Sequence, residues 1–206
     1  MAKALLICNG EKPGVWLKKY ARQADFILAA DGGADRALAA GVRPDAVIGD
    51  LDSVSPRTRH ALQDTPFIHV KRQDNTDLEK ALDWLRTQKF DSCMIAGAVG
   101  GRLDFTLGNV LAVRPYLERL NIEFIGEKWT LRPLIKSHRF SAKKGTRCSF
   151  IVLAPCRSVT LTGVQYRVQN ENWDAHHIGR TLSNKITAAK SEISFDSGYV
   201  LLYLER

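Results

Sequence analysis

Up to about residue 126 the chain alternates two hydrophobic periods, and beyond it one of them disappears. Short apolar runs at 4–8, 26–30, 46–48, 67–70, 93–96 and 122–125 are separated by amphipathic stretches near 14–23, 34–40, 56–63, 77–88 and 105–119. Strands that alternate with helices pair in parallel, because each crossover needs the length of a helix, and the helices then cover the sheet. The stretch after Thr76 is the clearest helix. Leu78, Ala81, Leu82 and Leu85 fall at i, i+3, i+4 and i+7, and Thr76 with Glu79 makes a capping box at its start. Ser55-Pro56 marks a second helix start, a capping hydroxyl followed by proline at the first helical position. After 126, segments at 146–153, 158–164, 180–183 and 192–205 are rich in Val, Ile, Thr, Tyr and Phe, with Gly, Pro, Asn and Asp between them. That is the pattern of an antiparallel sandwich or barrel. The expected fold is an α/β domain over 1–126 with a mostly parallel, Rossmann-like sheet, then an all-β sandwich domain over 127–206.

Six aspartates, Asp31, Asp50, Asp52, Asp74, Asp77 and Asp104, sit where strands should end or helices begin. In an open parallel sheet ligands bind outside the carboxyl ends of the strands, so Asp31, Asp50 and the glycine-rich run 97–101 should share one rim. Carboxylates crowded together repel one another and stay ionised when a cation joins them. An oxygen-rich set suits Mg²⁺, which uses one or two carboxylates together with substrate phosphates. Gly32-Gly33 and Gly100-Gly101 lack side-chain bulk, so their backbone N–H groups can approach phosphate oxygens. No Gly-Lys-Ser/Thr follows either pair, so neither is a Walker A loop. The residues alone point to phosphoryl or diphosphoryl transfer.

A net charge of +8 permits a nucleic-acid partner, but the basic residues form no run longer than a pair and no RNA-binding or zinc-finger signature accompanies them. A solvated basic surface accounts for them. No apolar run is long enough to span a membrane, and the four cysteines form no CxxC pair. A cytoplasmic protein with reduced, structural cysteines is expected.

The segments Ala30-Asp31-Gly32-Gly33-Ala34, Gly49-Asp50-Leu51-Asp52-Ser53, Asp74-Asn75-Thr76-Asp77-Leu78-Glu79-Lys80-Ala81-Leu82 and Gly97-Ala98-Val99-Gly100-Gly101-Arg102-Leu103-Asp104, in this order, closely resemble the thiamine pyrophosphokinase family. The likeness continues through Gly163-Val164-Gln165-Tyr166, Leu182-Ser183-Asn184 and Ser197-Gly198-Tyr199-Val200-Leu201-Leu202. The resemblance implies a thiamine diphosphokinase that transfers diphosphate from ATP to the hydroxyethyl group of thiamine, giving thiamine diphosphate and AMP. It implies an ATP- and Mg²⁺-binding catalytic domain, a thiamine-binding and dimerisation sandwich, and a homodimer with active sites between subunits. Carried over by motif, Asp50, Asp52 and Asp77 would hold Mg²⁺. Asp31, Gly32, Gly33, Asp74, Thr76, Gly100, Gly101, Arg102 and Asp104 would complete the nucleotide and diphosphate site. Asp77 and Asp104 are both candidates to accept the hydroxyl proton. Tyr166 would stack on thiamine, with Trp173 as a rival, and Ser183 and Asn184 would hydrogen-bond its pyrimidine. Two positions depart from the family pattern: Leu51 stands where Phe is frequent, and Phe105 where bacterial members usually carry His. Neither removes a metal or phosphate ligand. The alternatives are a diphosphokinase of the same fold acting on a pterin alcohol, or a non-catalytic thiamine- or nucleotide-binding module.

Overall fold

The structure, a computed structural model, describes residues 2–71 and 74–206. The chain divides into two compact units, Met1–Glu127 and Lys128–Arg206.

The first unit runs β1 (Lys3–Ile7), α1 (Leu17–Ala21), β2 (Phe26–Ala30), α2 (Gly33–Ala39), β3 (Ala46–Gly49), α3 (Pro56–Ala61), β4 (Phe67–His69), α4 (Asp77–Thr87), β5 (Ser92–Ala96), α5 (Leu103–Ala112) and β6 (Asn121–Ile125). Its strands are ordered β4-β3-β2-β1-β5-β6, and every neighbouring pair is parallel. The Rossmann-like expectation holds only in part. The sheet is parallel, but its order differs from the 3-2-1-4-5-6 of dinucleotide-binding folds, and α1, α2 and α3 have only 5, 7 and 6 residues. Strand β1 is buried from Ala4 to Ile7, with Leu5 and Ile7 packed against Leu17, Ala37, Met94 and Ile125. A second cluster joins Ala29, Ala34, Val47 and Leu62. Both helix starts read from the sequence are present: Ser55 accepts the Thr58 N–H, and Thr76 with Glu79 forms the reciprocal capping box. Helix α4 buries Leu78, Ala81, Leu82 and Leu85. The chain moves outward from β1 through β2, β3 and β4, and α4 then carries it back to β5 on the other side of β1. The strand order therefore reverses between β1 and β5, which opens a crevice at their carboxyl ends.

The second unit contains β7 (Trp129–Leu134), β8 (His138–Phe140), β9 (Arg147–Thr162), β10 (Val168–Trp173), α6 (Ile178–Thr181), β11 (Asn184–Lys185), β12 (Ser191–Ser194) and β13 (Ser197–Glu205). The first part of β9 pairs with β13 and β11, and its second part with β10 and β12. All of these pairings are antiparallel, so one 16-residue strand serves two sheets. Phe150, Val159, Leu161, Trp173, Ile193 and Val200 fill the core between them. The sequence places separate strands at 146–153 and 158–164, with Pro155 between them. The structure joins them through register shifts into a continuous strand, where proline is tolerated. The run 180–183 was expected as a strand. Instead α6 ends at Thr181, and Ser183, with φ of 56°, leads into β11. The expected 192–205 strand is divided between β12 and β13.

Candidate active site

The crevice holds a cavity of about 560 Å³ lined by segments following β1, β2, β3 and β5, together with the start of α4 and the inner side of α5. Two close approaches shape its floor. A Cβ on Gly33 would lie 2.0 Å from the Ile7 carbonyl oxygen, so α2 can meet β1 only through glycine. A Cβ on Gly97, whose φ is 69°, would lie 2.5 Å from the Cys8 carbonyl oxygen. Cys8 itself is buried, and its pKa is pushed up to about 12, first by burial and then by Asp77. It is a neutral wall residue.

Asp31 follows β2 in a left-handed conformation, φ 46°, and is 4% exposed. Aspartate tolerates that conformation better than most residues, at some cost, and such strain gathers at functional sites. Its N–H donates to the Ile48 carbonyl at 2.8 Å, and its carboxylate accepts the Ser53 N–H at 3.3 Å. Past β3 the backbone turns through Leu51, φ 68°, whose carbonyl accepts from Arg59. This turn directs Asp50 inward. Asp77 opens α4. One carboxylate oxygen from each of Asp31, Asp50 and Asp77 lies within 4.8 Å of the others.

A cation sits against this group. Lys80, one turn along α4 and 5% exposed, donates to Asp77 at 2.9 Å and to Asp50 at 3.4 Å. Burial raises the Asp77 pKa; Lys80 opposes that, Asp50 and Asp31 reinforce it, and the result lies above the ordinary carboxylate value. At Asp50 burial also acts upward, but the Asp52 N–H and Lys80 outweigh it, and the pKa falls below the ordinary value. Burial disfavours the Lys80 charge, yet its contacts with Asp77 and Asp50 more than compensate, so its pKa is raised and it is an ammonium at neutral pH. Three carboxylates and one ammonium leave the group an excess of negative charge. Sequence reasoning quoted Lys80 within a motif without giving it a role. The available signal was its spacing: a lysine three residues after a helix-opening aspartate lies beside it.

The glycine loop after β5 is held by α5. Asn109, 8% exposed, donates to the Ala98 carbonyl at 2.7 Å, and Thr106 accepts the Gly100 N–H at 3.1 Å while donating to the Arg102 carbonyl. Gly100, Gly101 and Arg102 line the cavity, as do Asp31, Thr76 and Asp77. Other residues from the sequence-based set lie apart. Asp52 is exposed and accepts the Ser53 hydroxyl at 3.0 Å, outside the three-carboxylate group. Asp74 is exposed and off the cavity wall. Gly32 packs under Asn9. Asp104 faces solvent in a two-point ion pair with Arg102, at 3.1 and 2.5 Å, and this partner holds its pKa below the ordinary value. That makes Asp104 a poor proton acceptor. The Arg102 guanidinium also lies 4.4 Å from the Phe105 ring centre.

In the second unit Tyr166 is 57% exposed, and its backbone is clamped by Asn184. The Asn184 amide oxygen accepts the Tyr166 N–H at 3.0 Å, and its amide nitrogen donates to the Tyr166 carbonyl at 2.9 Å. Asn184 is 1% exposed, so it presents the tyrosine and has little left to offer a ligand. Ser183 is exposed. Trp173 is 3% exposed, 6.2 Å ring to ring from Phe150, and belongs to the core, which removes it as a rival stacking surface.

Residues 17–124 match the family model for the thiamin pyrophosphokinase catalytic domain, and residues 137–200 that for the thiamin pyrophosphokinase vitamin B1 binding domain. Thiamine pyrophosphokinase of Bacillus subtilis (strain 168) is 28% identical over 196 residues, covering 90% of each chain. Thiamine pyrophosphokinase 3 of Oryza sativa subsp. japonica is 27% identical over 82% of this chain and 74% of that relative. Among solved structures, thiamin pyrophosphokinase from Geobacillus thermodenitrificans superposes with a TM-score of 0.87 at 25% identity, covering 100% of this chain and 98% of the other. The Bacillus subtilis enzyme gives 0.88 at 23% identity over 98% of both, a likeness of fold. With the three clustered carboxylates inside the matched catalytic segment and a vitamin-binding segment matched separately, this chain belongs to the thiamin pyrophosphokinase family.

Proposed function

We propose that this protein transfers a diphosphate group from ATP to the hydroxyethyl oxygen of thiamine, releasing thiamine diphosphate and AMP. The alcohol oxygen bonds to the β-phosphorus as the bond from that phosphorus to the α,β-bridging oxygen breaks, and the hydroxyl proton is given up. One observation carries the reading: Asp31, Asp50 and Asp77 converge beside a cavity whose other wall is a glycine loop, in a chain of this family. Such a reaction needs in-line positioning and charge stabilisation rather than covalent help from the protein.

The donor set fits a hard divalent cation, because it consists of carboxylate oxygens close enough to share one ion. Asp31, Asp50 and Asp77 would hold Mg²⁺, with Asp52 as an outer member on the same loop, and the bound ion would offset phosphate charge. Thr76 and Glu79 fix the start of α4, which sets the direction of Asp77. Gly101 would offer its backbone N–H to a phosphate oxygen, while the Gly100 N–H is held by Thr106. In the second unit Tyr166 would lay its ring against the thiazolium cation or pyrimidine, with Ser183, which precedes the Asn184 clamp, as a hydrogen-bonding group.

A homodimer accords with Leu103, Leu107 and Leu111, which form an exposed stripe on α5, 71%, 58% and 55% accessible. Four buried cysteines without a disulfide accord with a reducing compartment, the cytoplasm. No helix among the described residues is long and apolar enough to cross a membrane.

The test is product analysis after incubation with ATP, Mg²⁺ and thiamine. Equal amounts of AMP and thiamine diphosphate are expected. ADP with thiamine monophosphate would overturn the chemistry, and AMP formed only with a pterin alcohol would overturn the acceptor.

A further inference from the structure

Among the described residues, the cations around the crevice differ in what they bind. Lys80 is bound to Asp77 and Asp50, and Arg102 to Asp104. Arg36, on α2, lines the same cavity, yet its Nε is buried without any hydrogen-bond partner. Its neighbour Asp35 attracts the Arg36 charge but does not hydrogen-bond it, because that carboxylate accepts the Ser55 N–H at 3.1 Å, the Ser55 hydroxyl and the Thr58 hydroxyl at 2.8 Å. A guanidinium N–H withdrawn from water and left unpaired is costly, and native structures rarely keep one without a reason. A cavity wall supplies that reason when its ligand brings the missing acceptors.

We propose that Arg36 is a phosphate-binding residue of this site, gripping the phosphate chain of the nucleotide. The inference rests on the diphosphate-transfer reading. Guanidinium matches phosphate oxygens in a two-point fork, which an ammonium cannot reproduce. Stacking on adenine would leave the N–H groups unpaired, whereas phosphate oxygens satisfy them and the charge together. The same wall carries an excess of carboxylate, so a guanidinium there also lowers the repulsion that a polyphosphate meets on entry.

The test is calorimetric titration of the full chain with ATP plus Mg²⁺, with AMP, and with adenosine, comparing the parent with Arg36→Met and Arg36→Lys. Arg36→Met should bind ATP roughly 10- to 100-fold more weakly, the usual effect of losing a charged hydrogen-bond pair, with adenosine affinity unchanged. Arg36→Lys should fall between the two. In steady state the KM for ATP should rise while the KM for thiamine stays constant, a split that general loosening of α2 would not give. ATP affinity within twofold of the parent, or an equal loss for adenosine, would overturn the assignment while leaving parent turnover intact. If Arg36→Met does not fold, Arg36→Lys decides by the same criteria. A parent chain that binds no ATP would overturn the functional reading and this inference with it.

Discussion

Replacing Lys80 by methionine keeps the side-chain length and removes the single cation held between Asp50 and Asp77. At contacts of 2.9 and 3.4 Å and an effective dielectric constant near 20, each attraction is worth about 5 kcal/mol before desolvation. The net loss is smaller, because the carboxylate side chains are 23% and 33% exposed and solvent screens them. It is also bounded, since the variant can escape by protonating one carboxylate. Holding a group of ordinary pKa near 4 protonated at pH 7 costs about 4 kcal/mol, and at pH 5 about 1.4 kcal/mol. Asp77 is the group to take the proton, because burial and its acidic neighbours already raise its pKa. The sign follows: between pH 5 and 7 the folded variant binds a proton that the unfolded chain does not, so its stability rises as pH falls. Urea denaturation of Lys80→Met in EDTA should therefore show a deficit of about 3 kcal/mol at pH 7, shrinking to about 1 kcal/mol at pH 5. Millimolar Mg²⁺ should restore part of it, because a cation that binds only the folded state stabilises it. Equal stability of variant and parent at pH 7, or a deficit of the same size at both pH values, would refute the reasoning.

Asp31→Asn, Asp50→Asn and Asp77→Asn should each weaken Mn²⁺ binding measured without nucleotide, and Asp52→Asn should weaken it less than any of them; a loss in Asp52→Asn equal to the others would enlarge the metal set. Asn184→Ala leaves three backbone groups without their partner and should destabilise the second unit by about 1–3 kcal/mol, with a raised KM for thiamine. An unchanged KM would detach Tyr166 from the vitamin. Asp35 has its pKa lowered, burial being outweighed by its bonds to Ser55 and Thr58 and by the Arg36 charge, so its stabilisation holds above pH 4 and is lost as pH falls further. Asp35→Asn should flatten that acid limb in a pH series of melting temperatures.

Much of the first unit was legible because its periods are local. The α4 apolar face and both capping hydroxyls declare themselves within a few residues, and all three match the structure. The second unit was less so. Its long β9 crosses Pro155 and Ser158 through register shifts fixed by β10 and β13, partners that no local window contains. The site divides the same way. Asp31, Asp50 and Asp77 end or begin predicted elements, so their rim was readable from topology. That Asp31 rather than Asp52 completes the tight group depends on the φ of 46° at Asp31 and on the Leu51 turn, which spacing does not encode. Lys80 and Arg36 were hidden because a lone basic residue on an amphipathic helix is more often solvated. Only the folded geometry shows that Lys80 is bonded to two carboxylates while the buried Arg36 Nε has no hydrogen-bond partner.

The pairing of β7 with β13 sets a timetable for synthesis. Leu134 faces Val200 and Trp129 faces Glu205, so β7 emerges long before its partner exists, and β9 likewise waits for β11, β12 and β13. Contacts this distant along the chain close slowly, and until they do an apolar strand edge stands open to other chains. The first unit has all its strands by Ile125 and can complete its sheet while the rest is still being translated. Nascent chains arrested before residue 197 should accordingly show a protease-resistant first unit and a digestible remainder, and resistance of both would contradict this order. A cell that makes the protein quickly must shield the second unit's unpaired strands for the interval, so yield should respond to slower translation or added chaperone more than to changes in the crevice.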